Sequence, residues 1–344
     1  MEIGIYTLGD LAVDPFTNEK TDPKQRMEEV IEAAKLADDL GLDVFGVGEH
    51  HRLDFVISTP AVVLSAIARE TKNIRLTSAT TVLSTTDPVR LYEEFATVDL
   101  LSRGRAEMMA GRGAFLEPFE LFGYELAAFD GLFQEHMDLF LQLNRAERLD
   151  WEGEYRTPLK NAQIAPRAFQ KELPVWIGVG GSVESATRAG TFGSGLAMAI
   201  LSGDPERFIP LVKAYKAAFQ ESEHDMNRMR VGVTGHGFIA ETSEEARDIF
   251  YPYYKKYKTE AKKRKDPNFE LTRELFDSWT APDGALFVGS PEEVADKIVR
   301  QHKCFGHDRC LLQLDVGGVP FEQIAHSIEL LANKVVPLVK ERLQ

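Results

Sequence analysis

Short apolar runs alternate with helical patterns along almost the whole chain. Ile3-Gly4-Ile5-Tyr6-Thr7-Leu8 opens the series. A helix follows in which Met27, Val30, Ile31, Ala34, Ala37 and Leu40 share one face, the spacing of an amphipathic helix. Gly41 stands where a left-handed residue would end it. Leu42 to Val47 reads as the second strand, Pro60 to Arg69 as the second helix and Ile74 to Val82 as the third strand. Pro88 falls near a helix N-terminus, where proline is tolerated. Arg105 to Ala110 is a fourth strand, followed by a long loop and a helix around Leu132 to Leu143.

After a Pro- and charge-containing excursion (about 150–173), the alternation resumes. Strands are predicted at Pro174 to Gly178, Gly195 to Ile200, Val231 to Ala240 and Cys310 to Val316. Helices are predicted from Ser182, from Pro205 to about Phe219, after the capping run Glu241-Thr242-Ser243-Glu244-Glu245, from Pro291, and from Val319 to about Val339. Eight strand–helix alternations without a break in composition predict an α/β chain folded as a closed (β/α)8 TIM barrel, one domain over residues 1–344. Two longer excursions, about 114–131 and 265–290, are candidate lids or binding loops, and the second is expected to be irregular.

Composition narrows the partners. With 44% apolar residues the 344-residue chain can bury a large core. Its formal charge of -14 argues against nucleic-acid or anionic-membrane partners. No run approaches the roughly 18–20 apolar residues of a spanning helix, and no basic segment leads into an apolar one at the start. Cys304 and Cys310 are the only cysteines, too few for a disulfide framework. The expectation is a cytoplasmic protein.

Ligands of parallel barrels bind at the C-terminal strand ends, and that rule gathers several odd segments into one site. Glu49-His50-His51 follows strand two, Ser78-Ala79-Thr80-Thr81 lies late in strand three, and Gly111-Arg112-Gly113 follows strand four. Gly178-Val179-Gly180-Gly181-Ser182 follows strand five and Gly317-Gly318 strand eight. Glycines before a helix let backbone approach a ligand, and Ser182 with free N–H groups could hold an anion. Glu184 should then face solvent. The bland reading is a glycine-rich turn with an N-cap. Arg112 between glycines suits a phosphate or carboxylate, or else a salt bridge to an acidic neighbour.

His50 is the acid/base or hydrogen-bond candidate, with Glu49 and His51 to orient it. Adjacent residues on a strand point apart, so the two histidines are poorly placed to share a metal ion, and no metal is expected. His236 reads as a satisfied core histidine. The aromatic set Phe115, Phe119, Phe122, Tyr124, Phe129 and Phe133 reads as a satellite core under a loop. Lys255, Lys256, Lys258, Lys262, Lys263, Arg264 and Lys265 read as a solvated helix face.

Val47-Gly48-Glu49-His50-His51, Leu83-Ser84-Thr85-Thr86-Asp87-Pro88-Val89-Arg90, Asp99 to Arg105, Gly111-Arg112-Gly113, Pro174 to Gly178 and Val288 to Val294 occur in the order of a known family. The chain resembles the bacterial luciferase-like flavin-dependent monooxygenases over essentially its whole length. The resemblance implies reduced FMN (FMNH2), supplied by a separate NAD(P)H:flavin reductase and used with O2 to oxygenate a small organic substrate, commonly in a homodimer. By position, His50 matches the histidine that supports the oxygenated flavin, and Ala79-Thr80 matches a dipeptide joined by a non-prolyl cis bond against the ring. Arg112 with Gly113 matches the phosphate contact, and Gly180, Gly181 and Ser182 lie where backbone and hydroxyl cradle that phosphate. The 265–290 segment falls where relatives carry a lid.

The chain departs from the luciferases themselves. Thr80 replaces a smaller residue, Gly111 stands at the place of a reactive cysteine, and Gly180-Gly181 replaces an acidic–serine pair. Light emission and a long-chain aldehyde substrate therefore do not carry over, and alkanal, sulfonate and amine oxygenation stay open. Two alternatives share the barrel: a deazaflavin-dependent hydride-transfer oxidoreductase and a flavin-binding protein without turnover.

Overall fold

A computed structural model of the chain describes residues 1–113, 115–263 and 266–344. Eight parallel strands close a barrel: β1 (Glu2–Thr7), β2 (Val44–Val47), β3 (Arg75–Ser78), β4 (Ala106–Gly111), β5 (Val175–Val179), β6 (Gly195–Ala199), β7 (Val231–Ile239) and β8 (Arg309–Gln313). The register runs Ile5 to Phe45, Phe45 to Leu76, Leu76 to Ala106, Met108 to Val175, Ile177 to Leu196, Leu196 to Val231, Val233 to Cys310 and Cys310 back to Ile3. Helices α1 (Pro23–Asp39), α2 (Pro60–Glu70), α3 (Pro88–Ser102), α4 (Phe129–Arg145), α5 (Val183–Thr191), α6 (Ile209–Glu221), α7 (Ser243–Lys263), α8 (Pro291–Phe305) and α9 (Phe321–Leu330) lie between or after the strands.

Because side chains alternate along a strand, each strand feeds two cores. Ile5, Phe45, Leu76, Met108, Ile177, Leu196, Val233 and Cys310 point out and pack with the helices in one continuous apolar shell. Tyr6, Val44, Met109, Trp176, Ala197 and Leu311 point in and form a separate cluster that plugs the barrel. Below them Arg309 carries a buried ion pair to Glu107 and lies 4.4 Å over the Trp176 ring. A cavity of about 340 Å³ opens at this N-terminal end among Glu2, Arg75, Glu107, Trp176 and Arg309. That end of a barrel carries stability rather than chemistry, and its arginines already hold carboxylates.

Local signals set most helix starts. Asp22, Asp87, Ser182, Thr272 and Ser290 each accept a backbone N–H from the first turn, and Pro23, Pro60, Pro88 and Pro291 stand where no intrahelical partner is lost. Gly41 follows α1 at φ 77°.

Three expectations are corrected. The third strand does not run unbroken to Val82: it stops at Ser78, and Thr81–Val82 resumes against Ala110 and Gly111 after a cis bond between Ala79 and Thr80. The 265–290 segment is not irregular where described. It forms a helix, Arg273–Thr280, and a strand, Phe287–Gly289, that pairs with β7. Buried Leu271, Phe276 and Leu286 hold it down, and Lys297 Nζ donates to the Thr280 and Leu286 carbonyls. Its polar, mixed composition hid these contacts. The excursion at 150–173 begins with an antiparallel hairpin, Arg148–Trp151 with Leu159–Gln163, that strand periodicity missed because its residues are mostly exposed.

Candidate functional site

The ends of β2, β3, β4 and β5 meet at the barrel mouth. His50 leaves β2 with its N–H donated to the Ile57 carbonyl at 2.9 Å. Its ring packs 4.0 Å from Phe55 and 5.1 Å, edge on, from Phe115. Burial among these rings, partly opposed by the charge of Asp54 and reinforced by Arg52 and His51, pushes its pKa down to about 4. Nε2 is enclosed without a hydrogen-bond partner. A neutral imidazole with an uncommitted nitrogen can donate to or accept from a ligand. His50 and Gly113 border one small cavity, about 10 Å³, which Phe115 also lines.

His51, also beyond the end of β2, makes a separate set of contacts. Its Nε2 lies 2.9 Å from Glu49 Oε1 and its ring 4.9 Å, edge on, from Phe122. Glu49 ties β2 to the interrupted third strand: its N–H donates to Thr80 O, and its Oε2 accepts from the Val82 N–H at 3.0 Å. With Ala79 N–H donating to the Val47 carbonyl at 2.7 Å, the segment is held before and after the Ala79–Thr80 peptide. Among the described residues no group of three potential ligands converges on a metal-sized site.

Thr80 reaches across to β4 and β5. A Cβ on Gly111 would fall 2.3 Å from Thr80 Oγ1, and one on Gly178 would fall 2.7 Å from Thr80 Cγ2. Both glycines are therefore close-approach positions rather than flexible turns.

Arg112 and the β5 turn also converge. Arg112 Nη2 donates to Ser185 Oγ at 3.0 Å, and Ser185 N–H donates to Ser182 Oγ at 3.2 Å, the N-cap of α5. Gly180 and Gly181 have open space where a Cβ would be, and Gly181 adopts φ 126°, which favours glycine. Two internal carboxylates already sit here. Arg112 Nη1 lies 2.5 Å from Asp130 Oδ1, and Ser182 Oγ donates to Glu184 Oε2 at 2.7 Å. Glu184 is exposed as expected, yet it engages the cap. The Ser182 hydroxyl, with help from Arg112 and Arg188, holds its carboxyl below the usual range.

Sequence reasoning missed Arg188, Ser185 and Asp130. Arg188 Nη2 lies 3.4 Å from Asp130 Oδ1, while Nη1 is enclosed without a partner. The only available signal was spacing: Ser182, Ser185 and Arg188 recur every three residues along α5. It also missed Phe55, because one aromatic residue in a loop carries no pattern. The aromatic set splits. Phe119 and Phe133 are core, but Phe115 and Phe122 contact His50 and His51. The lysine cluster is corrected at Lys258, which is 8% exposed and lies over the faces of Tyr254 and Trp279; Arg264 and Lys265 lie outside the described residues. His236 is buried, with Nδ1 3.1 Å from Tyr254 Oη.

A closed parallel barrel with a glycine turn beside Arg112 and Arg188 at its C-terminal mouth has the layout of a TIM-barrel enzyme site. The chain belongs to the luciferase-like monooxygenase family, whose description matches residues 1–308, and it is a flavin-dependent oxidoreductase of the monooxygenase type. It is 25% identical to the oxygenase component of a flavin-dependent trigonelline monooxygenase from Acinetobacter baylyi, over 92% of this chain and 91% of that one. Its fold is similar to the oxygenating constituent of 3,6-diketocamphane monooxygenase from Pseudomonas putida, a type II Baeyer-Villiger enzyme in complex with FMN (TM-score 0.78, 20% identity, 98% of each chain). It is also similar to an F420-dependent secondary alcohol dehydrogenase (TM-score 0.74, 15% identity, 98% of each chain). No described helix is long and apolar enough to cross a membrane.

Proposed function

We propose that the protein is the oxygenase of a two-component system: it takes reduced FMN from an NAD(P)H:flavin reductase and uses O2 to oxygenate a small organic substrate. The observation that carries this reading is the convergence of Arg112, Ser185 and the Ser182 cap at one end of a row of strand ends that has His50 at the other. Bound reduced FMN would supply the electrons that activate O2. In this reading Arg112 and Arg188 face the phosphate, with the N–H groups of the Gly180-Gly181-Ser182 turn and the start of α5. The orphaned Nη1 of Arg188 and the open glycine turn fit such an anion. Ala79 and Thr80 form the surface under the ring. His50, neutral at working pH, holds a hydrogen bond at its edge, and Phe55 and Phe115 exclude water there.

The residues 1–344 act as one barrel domain in this proposal, and the chain works in the cytoplasm as a homodimer. The test is anaerobic loading with FMNH2, mixing with O2, and following the flavin spectrum in wild type and His50→Ala. The reading requires a slowly decaying oxygenated species in wild type and its faster loss in the variant. Titrating FMN and deazaflavin F420 side by side addresses the hydride-transfer alternative, which shares this barrel. Exclusive F420 binding would replace the oxygenase reading.

A further inference from the structure

On the β7–β8–β1 side of the mouth lies a polar cluster that the flavin reading leaves unused. Gln313, the last residue of β8, is fully buried and paired in register with His236 of β7. The β1–β8 register, carried one step past Ile5 and Leu312, places Tyr6 beside it. Asp10, three residues beyond β1, is 4% exposed. Its Oδ2 meets only long contacts, 3.5 Å to Gln313 Nε2 and 3.4 Å to the Gly317 N–H. Asp10 Oδ1 and Gln313 Oε1 are both buried without any hydrogen-bond partner.

Helix α7 walls this cluster. Tyr254 Oη lies between His236 Nδ1 and the Leu201 carbonyl. Burial, followed by the charge of Asp10 and the nearby phenols of Tyr254 and Tyr6, pushes the Tyr257 phenol well up. The cluster is continuous with the proposed flavin surface. Tyr6 and Ala79 pack in one inner group, each with its Cβ 3.1 Å from where a Gly46 Cβ would stand. Asp10 bridges Phe55, the residue whose ring lies on His50.

We propose that the Asp10–Gln313 pair, walled by Tyr6, Tyr254 and Tyr257, anchors the organic substrate, and that the substrate is an amine bound as its ammonium. This rests on the flavin reading for its place beside the reacting ring. Two buried oxygens without donors call for N–H groups, and an ammonium offers three and no acceptor. A carboxylate or phosphate would meet acceptor oxygens, and a hydrocarbon would leave both oxygens unpaired. Burial and the neighbouring Asp315 raise the Asp10 carboxyl to about 7 against the opposing charge of Arg26, whose guanidinium is committed to Asp315 and Glu29. A bound ammonium would favour the charged form of Asp10. Lys258 sits within electrostatic reach of His236, but its Nζ is turned to the Leu201 carbonyl and onto the Tyr254 and Trp279 rings.

The test is calorimetric titration of the FMN-loaded and flavin-free protein with benzylamine, toluene and benzoate near neutral pH. Benzylamine should bind about ten-fold tighter than either isostere, the scale of one charge-assisted hydrogen bond. Asp10→Asn and Gln313→Leu, each confirmed folded by circular dichroism, should each erase most of that preference while changing FMN affinity less than about two-fold. Equal binding of the three probes, or a preference that survives both substitutions, overturns the proposal. Amine preference in flavin-free protein that fails to bind FMN would instead overturn the flavin reading alone.

Discussion

Thr80 and Gly111 share one volume: a Cβ at position 111 would sit 2.3 Å from Thr80 Oγ1. Gly111→Ala must therefore displace Thr80 or the strand beneath it. Overpacking of this kind costs about 1–3 kcal/mol, and Thr80→Ala should recover much of the loss. Urea unfolding of wild type, both single variants and the double variant measures the coupling. A value above about 0.5 kcal/mol is expected, and simple additivity would contradict the shared-volume reading.

Asp130 holds Arg112 and Arg188 with one carboxylate oxygen, so it competes for the two cations proposed to face the flavin phosphate. The ion pairs are exposed, and their own contribution to stability is small. Their effect should appear in competition with ligand. Asp130→Asn is expected to tighten FMN a few-fold and leave riboflavin, which lacks the phosphate, unchanged. Arg112→Gln and Arg188→Gln should each weaken FMN by about ten-fold, the scale of a charge-assisted hydrogen bond. Fluorescence titration with both flavins separates the outcomes. Equal effects on riboflavin would remove the phosphate from the argument.

The barrel was legible because its signals are local and repeated. Alternating apolar runs fixed eight strands, and capping residues such as Asp87, Ser182 and Ser290 fixed helix starts within a residue or two. The strand-end rule then brought His50, Ala79, Thr80, Arg112 and Ser182 to one mouth. What escaped depends on contacts between distant segments. Asp130 precedes Ser185 by 55 residues in number, yet both meet Arg112. Asp10 and Gln313 are brought together only by barrel closure. The helix Arg273–Thr280 is held by tertiary burial of Phe276 that no local pattern announced.

Several histidines are held neutral by burial: His50 with a pKa of about 4, His307 at about 3, and His136 below its ordinary value. The unfolded chain protonates each near 6.5, so between about pH 4 and 6.5 these histidines take up more protons in the unfolded chain than in the folded protein. Asp10, raised to about 7, offsets that difference by about one proton. Stability must then rise with pH across that window and fall on acidification. His50→Gln should flatten the slope by up to one proton between pH 4.5 and 6, as read from urea unfolding at fixed salt. An unchanged slope would mean that His50 is not held neutral.

At the other end of the barrel, Arg309 is buried against Glu107, with Nη1 at 2.5 Å and Nη2 at 3.1 Å from the carboxylate. Removing one partner of a buried pair leaves a stranded charge and costs about 3–5 kcal/mol. Glu2 still holds Arg309, so Glu107→Ala should fall near the lower figure. Glu107→Ala with Arg309→Met, which strands nothing, should recover part of the loss. Flavin affinity, at the opposite mouth, should change in neither variant once the protein is folded.

Glu49 is the tie between His51, Val82 and the backbone at Thr80. Glu49→Ala leaves the buried Val82 N–H without its acceptor, a loss of about 1–3 kcal/mol. It also frees the Ala79-Thr80 segment proposed to lie under the flavin ring. Because that surface meets the ring and not the phosphate, FMN and riboflavin should weaken by the same factor, unlike the Arg112 variants. Glu49→Gln keeps one acceptor oxygen and should fall between wild type and alanine for both flavins. A Glu49→Ala protein that loses stability but binds both flavins as wild type does would show that the clamp serves the fold alone.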